Sequence, residues 1–523
     1  MGAMTEMTPS ILGQARVLTA EGGQFALPAQ LRDMMCFMDD GMLYVSTSHG
    51  TNHHVLGFIE RLVRNQVRYT LKKVPLMEVK RLYETAPVAQ ATAGTTKTSS
   101  AQPGEESTHR QLEVVRLIRE AVELGASDVH FIVDYQICVI RFRVHGELGT
   151  RHELTTQHGN DLCATIYQSM CDVADPIYNP GKSQDARLKR SFLKQCGLFG
   201  ARVATRPTDS GTLMVLRLLY DRRSEKPSLD TLGYLPEQTA LVRRMGQRTT
   251  GINIFSGPTG SGKSTTLECV LTDLLKVFEN KIHLLTIEDP PEYTIPGANQ
   301  TPILCDKDDD EAISREWTRS ISNSMRLDPD VMMVGEMRDL SSAAAAFRAA
   351  MTGHGVWTTL HANDVVSILE RLRDIGVELS LLTDPALMTG LINQSLVRKI
   401  CLECEPKYFR DYRDTLPADL VERVERTCLA DKVRLKGDGC PKCKGSGIAG
   451  RTVVAEVIMP TKAFMRVFKT QGKAEAREYW VRQMNGITKN QHLIRRINEG
   501  LVDPQLGERD VCPLDEDLIT LEE

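Results

Sequence analysis

No stretch of the 523-residue chain approaches the roughly 18 consecutive apolar residues that a membrane-spanning helix needs. Met1 to Val17 also lacks the basic-then-apolar order of a secretory signal, so the chain is expected in the cytoplasm. Positive charge is not in excess either: 64 Lys and Arg against 68 Asp and Glu leave a formal net charge of -4, which supplies no global attraction to nucleic acid. A basic stripe interleaved with aromatics, the usual lining of a nucleic-acid channel, is missing too, so no nucleic-acid partner is expected. What remains is a globular composition, 41% apolar and 25% charged, on a chain too long for one ordinary core. A length prior of about 100 to 200 residues per domain predicts three or so domains. Thirteen cysteines, mostly single within apolar runs, suit a reducing compartment, where paired Cys-x-x-Cys units bind metal more readily than they form disulfides.

Residues 85–107 are rich in Ala, Thr, Ser and Gly without apolar periodicity and read as a flexible linker, which sets off an N-terminal domain over 1–84. Asn52-His53-His54 in that domain reads as a surface loop. After the linker, Thr108-x-x-Gln111 has the form of a capping box, and Leu112, Val115, Ile118 and Val122 recur at helical spacing up to about Leu124. Strand-like runs at Val129 to Val133 and Cys138 to Val144 open an α+β domain over 108–222, with a charged connector from Tyr220 to Leu229. Within 223–523, short apolar runs at Ile252 to Phe255, Ile282 to Ile287, Val331 to Val334 and Val356 to Leu360 alternate with helix-length segments. That alternation predicts a mostly parallel sheet covered on both faces, a multidomain α/β protein overall. The acidic end, Asp515 to Glu523, is expected to be solvated.

Gly257, Pro258, Thr259, Gly260, Ser261, Gly262, Lys263, Ser264 and Thr265 follow an apolar strand and open a helix expected over Thr265 to Val277. The glycines let backbone N–H groups wrap phosphates in conformations that side chains obstruct. Lys263 is placed to reach the β and γ phosphates of ATP, Ser264 to ligate Mg2+, and the helix presents its positive end to the anion. Binding alone does not establish hydrolysis, so the carboxylates matter. Val331-Met-Met-Val-Gly-Glu336 is a buried strand ending in the candidate water-activating group. Thr286-Ile-Glu288-Asp289-Pro-Pro-Glu292 sets three carboxylates where ligands bind in open α/β sheets. His354 and His361, in Thr352-Gly-His354 and Thr359-Leu-His361-Ala-Asn363, flank an apolar strand and are candidate γ-phosphate sensors.

These segments, in this order and with Asp328-Pro-Asp-Val-x-x-x-Gly-Glu-x-Arg338-Asp between the second and the histidines, resemble the type II secretion and type IV pilus ATPase family. The resemblance covers roughly 108–460 and takes in Gly125-Ala-Ser-Asp-Val-His130 and Gln394-Ser-Leu-Val-Arg-Lys. It implies a homohexameric ring of RecA-like domains, each binding ATP against a PAS-like middle domain. It also implies inner-membrane pilus or secretion platform proteins as partners, reached through the N-terminal domain at the cytoplasmic face of the inner membrane. Arg187 and Arg202 match the family arginines that approach the phosphates, and Arg326 and Arg338 are further candidates. Three departures stand out. Ala186 replaces the family's glycine, Ser322 replaces an arginine for which Arg319 is the nearest substitute, and an acidic run occupies Asp306 to Glu311.

Cys401-Leu-Glu-Cys404 and Cys440-Pro-Lys-Cys443 supply four thiolates for a tetrahedral Zn2+, although the 35-residue gap is long for a compact ribbon and on spacing alone leaves free thiols or redox chemistry open. With four protein ligands the zinc is structural, and its place resembles that in assembly-type members. Two other functions stay open on the residues alone: a RecA-like DNA translocase or conjugation ATPase, and a scaffold that binds nucleotide without hydrolysing it.

Overall fold

The computed structural model describes residues 16–20, 25, 27, 29–32, 34–47, 55, 58–59, 62–63, 67–85, 103–172, 177–220, 227–305 and 309–521. Asn52-His53-His54, most of the expected linker and connector, and Asp306 to Asp308 lie outside them. The chain divides into two compact units, 1–106 and 107–523. In the first, Met35–Phe37 pairs antiparallel with Met42–Ser46, which pairs parallel with Thr70–Val74. Phe25, Phe37 and Phe58 meet edge to face in its core.

The helix Pro103–Glu123 begins before the expected capping box, so Thr108 lies in its interior and not at its start. Its buried face is also rotated from the expected one: Val114, Val115, Ile118 and Ala121 are buried, whereas Leu112 is 61% exposed. This face covers a seven-stranded antiparallel sheet in the order Glu147–Thr155, Ile137–Val144, Ala126–Val133, Gly211–Tyr220, Leu198–Thr208, Gln184–Leu188, Cys171–Asp172. Alternation along Ala126–Val133 sends Val129, Phe131 and Val133 to the helix side, as one-sided burial of a strand requires.

A second seven-stranded sheet runs in the order Asn299–Pro302, Leu284–Glu288, Val331–Val334, Gly355–Leu360, Gly251–Ser256, Met388–Ile400, Ile448–Ile458. The first six strands are parallel and the last is antiparallel. Gly251–Ser256 is buried throughout because both faces are covered. Ile252 and Ile254 enter one core with the helix Leu340–Met351, and Phe255 enters another with the helices Pro236–Gly246 and Lys263–Val277. All-buried strands explain why apolar runs, rather than alternation, marked this region in the sequence. The strand order reverses at Gly251–Ser256, which opens a crevice at the carboxyl edge.

The C-terminal helices Lys462–Gln471, Lys473–Gln483 and Lys489–Asn498 pack on this sheet. The acidic end is not simply solvated: Glu516–Leu521 is helical, and Asp517 accepts a 2.5 Å hydrogen bond from Thr488 and pairs with Arg477. The half-buried Arg477, on the helix Lys473–Gln483 far earlier in the chain, gives this carboxylate a partner that composition could not reveal. No described helix is long and apolar enough to cross a membrane.

Candidate active site

At the carboxyl end of Gly251–Ser256 the chain enters three left-handed glycines, with φ of 142° at Gly257, 77° at Gly260 and 84° at Gly262. A Cβ on Gly257 would stand 2.2 Å from the carbonyl oxygen of Gln394, so the close approach as well as the dihedral demands glycine. Gly262 starts the helix Lys263–Val277 without any side-chain cap, leaving the first-turn N–H groups facing the loop. Pro258, Thr259 and Gly260 are exposed on that loop and Ser264 on the first helical turn. Thr265 meets the Tyr293 hydroxyl at 3.2 Å. Lys263 Nζ curls back to the carbonyls of Gly257 (2.8 Å) and Pro258 (3.1 Å). Burial depresses its ammonium below the usual lysine range, against the attraction of Glu336 and Glu292. Ser261 Oγ is buried with no partner among the described residues. Backbone nest, cation, orphaned hydroxyl and helix N-terminus together fit a phosphate chain.

Glu336 lies just past Val331–Val334 at the same edge. Its backbone is pinned by Gly335 N donating to Ile287 O (2.8 Å) and Thr359 Oγ1 donating to Gly335 O (2.6 Å). Its carboxylate accepts from Arg338 Nε at 2.8 Å and sits 3.2 Å from His361 Nε2, so three candidates from two loops converge. Glu288 accepts from Thr286 (2.7 Å) and Gln300 (2.9 Å), and burial pushes its carboxyl up.

The other sheet of this unit faces the same segment. Arg187 and Arg202 are cross-strand partners. Arg202 donates to the Pro290 carbonyl (3.2 Å) and pairs with Glu292 (3.3 Å), while its Nε is buried without a partner among the described residues. Burial and the neighbouring Arg202 lower Arg187 from the usual arginine range, and Asp289 opposes that shift. Two guanidiniums therefore stand beside Asp289 to Glu292.

Not every candidate joins them. Gly251 pairs with Gly355 and Ser256 with Leu360, so His361 leaves its strand beside the phosphate loop and His354 precedes it at the opposite edge. Six residues at about 3.3 Å each put roughly 20 Å between the two histidines. His354 instead lies 3.0 Å from the Ala349 carbonyl just past a helix end, away from the phosphate loop of this chain. Arg326 precedes Val331–Val334 and is likewise at the amino edge. Arg319, the arginine nearest to Ser322 in the sequence, pairs with Glu316 at 3.8 Å and is 74% exposed.

The cysteine pairs meet because their flanking strands pair. Met388–Ile400 and Ile448–Ile458 run antiparallel with Ile400 opposite Ile448, and Cys401 N donates to Gly447 O. The long intervening segment folds outward as its own small helices, among them Ala418–Thr427. Cys401 and Cys440 sulfurs are 3.8 Å apart, Cys404 and Cys443 3.6 Å, and all four lie within 4.8 Å of one another. A tetrahedral ion with bonds of about 2.3 Å sets its sulfurs about 3.8 Å apart, so the donor set fits zinc. Backbone N–H groups of Cys440 and Gly447 donate to Cys443 Sγ and pull its thiol down to about 6.

Residues 104–508 match the family described as Type II/IV secretion system protein. The chain belongs to that family. It is 33% identical over 367 residues to the type II secretion system ATPase E of Vibrio cholerae, covering 70% of this chain and 68% of that protein. It is 34% identical over 364 residues to the type II secretion system protein HxcR of Pseudomonas aeruginosa, covering 69% and 68% respectively. Its fold is similar to the X-ray structure of the Legionella pneumophila ATPase DotB, with a TM-score of 0.52 at 20% identity over 76% of this chain and 95% of that one.

Several residues of this family member's site left no distinct mark in the sequence. Tyr293 reaches it from an irregular loop, and Gln300 from the four-residue edge strand Asn299–Pro302, too short and too polar to show periodicity. Gln394 does carry a signal in retrospect: Asn393, Gln394 and Ser395 are consecutive polar residues, all buried, in the middle of the strand Met388–Ile400.

Proposed function

We propose that this chain is an ATP-hydrolysing motor that drives type IV pilus assembly or type II protein secretion. One observation carries the reading: the phosphate loop, Glu336 with His361 and Arg338, and the arginines facing Asp289 to Glu292 all meet at one sheet edge. The relatives named as secretion ATPases support it.

On this reading Lys263 and the N–H groups of Gly260 to Ser264 hold the phosphates of ATP. Glu336, oriented by Arg338 and His361, takes the proton of the attacking water. Arg187 and Arg202 turn from Asp289 and Glu292 toward the γ-phosphoryl oxygens, where two delocalised cations match the spreading charge. Ser264, Glu288 and Asp289 are the oxygen donors for Mg2+, which when bound screens the phosphate charge. The four cysteines hold a structural Zn2+ that ties the ends of two strands together.

Residues 223–523 then form the RecA-like domain with the zinc subdomain at about 398–450, and 108–222 the PAS-like middle domain. Residues 1–84 dock to inner-membrane platform proteins beyond the linker 85–107, at the cytoplasmic face. A homohexameric ring is the assembly in which such arginines complete each site. The test is phosphate release from Mg-ATP by the purified chain, with a deletion strain scored for surface pili and for secreted protein. Turnover with loss of either function supports the proposal; a chain that binds ATP without turnover, or a deletion that spares both functions, overturns it.

A further inference from the structure

Asn393, Gln394 and Glu456 are each 0% exposed. A buried amide or carboxylate is costly unless it is hydrogen-bonded, and apolar residues of the same size would pack a strand as well. Each of these groups is engaged by a loop of the proposed site.

Asn393 stands between Ser256 on one neighbouring strand and Glu456 on the other, so the three form a row across the sheet. Asn393 Nδ2 donates to Ser256 Oγ (2.8 Å) and to the Ala362 carbonyl (2.9 Å). Glu456 accepts from Val365 N (2.9 Å), Arg477 (3.1 Å) and Lys489 N (3.2 Å). Lys489 Nζ in turn donates to Asn363 O at 2.5 Å. The row thus holds the segment that directly follows His361. One residue further, the strand presents its other face. There Gln394 Nε2 donates to the Ser261 carbonyl of the phosphate loop (2.7 Å), and its Oε1 accepts from the Tyr234 hydroxyl (2.5 Å).

We propose that Asn393 with Glu456, and Gln394 with Tyr234, are two sets of positioning residues that act on the ATP site from opposite faces of one strand. The first sets where His361 stands against Glu336; the second fixes the phosphate loop. The inference rests on the ATPase reading above. Because the two sets touch different loops, they affect different kinetic quantities. Loosening the His361 loop removes an interaction used in turnover, and loosening the phosphate loop weakens nucleotide binding.

The experiment compares kcat with the Kd of a fluorescent ADP analogue in the full chain. Asn393→Leu is expected to lower kcat about 10-fold with Kd changed less than about 2-fold, and Glu456→Gln to lower it less than Glu456→Ala. Gln394→Met is expected to raise Kd about 10-fold and Tyr234→Phe about 3-fold, each more than it lowers kcat. Melting temperature checks folding, and if the larger changes unfold the chain, Glu456→Gln and Tyr234→Phe carry the same split. Equal losses of kcat and affinity in both sets, or unchanged affinity in the Gln394 and Tyr234 variants, overturn the inference. A wild-type chain that binds no nucleotide overturns the ATPase reading instead.

Discussion

The two edges of the parallel sheet carry similar residues and differ in what surrounds them. At the amino edge, Arg326 and His354 lie just past the C-terminal ends of helices, and His354 faces a main-chain carbonyl. At the carboxyl edge, His361 and Arg338 both engage the carboxylate of Glu336, near a phosphate loop whose glycines are left-handed. A histidine or arginine becomes a candidate for chemistry through the charge it faces, and seven positions along the sequence suffice to exchange one setting for the other. Parallel strands explain the division, because only at their carboxyl ends do loops and helix N-termini face one crevice.

The largest test of that contrast is Lys263→Ala. Loss of the only cation within the phosphate loop is expected to weaken ATP binding on the order of 100-fold or more, read by equilibrium titration. Affinity within a few-fold of wild type would remove the phosphate assignment. Next comes the pair of histidines. His361→Ala should lower kcat roughly 10- to 100-fold, whereas His354→Ala should stay within about 2-fold. Equal losses would mean that the amino edge also takes part in the chemistry.

The cysteine cluster separates metal from catalysis. Cys401→Ser is expected to reduce bound zinc well below one per chain and to lower the melting temperature by about 5 °C or more, with nucleotide affinity little changed. Full metal content in that variant would dismiss the four-sulfur site.

The smallest effect concerns a group away from both edges. His492 is buried with Nδ1 3.0 Å from Ala455 N and Nε2 3.1 Å from Gly233 O, and burial pushes its pKa down to about 3 from 6.5. The unfolded chain takes up this proton below about pH 6.5 and the folded one does not. Its contribution is therefore intact above that pH and is lost progressively as pH falls toward 3, costing about 2 kcal/mol by pH 5. His492→Gln should remove that part of the acid sensitivity, and an unchanged pH dependence would assign it elsewhere.

Much of this was legible in the sequence because it lies in short runs. The phosphate loop, Glu336, Glu288 and the cysteine pairs each combine a residue type with local spacing. Strand cores were legible because burial on both faces leaves unbroken apolar runs. What was hidden depends on pairing register. Only the alignment of Gly355–Leu360 against Gly251–Ser256 tells His361 from His354. Thr108 looked like a cap because the helix begins in a stretch that reads as linker, and Leu112 fits the helical spacing of a core face it does not join. Asp517 looked solvated because its partners, Arg477 and Thr488, are contributed by other helices.

The most direct measurement is single-turnover hydrolysis of ATP by the Glu336→Gln chain, with binding measured on the same sample. The isosteric amide keeps the side chain's shape and one acceptor oxygen for Arg338, carries no charge and cannot accept the proton of the attacking water. ATP affinity is expected to stay within about 3-fold of wild type, with a hydrolysis rate lower by at least about 100-fold. Hydrolysis at the wild-type rate would remove Glu336 from the chemistry.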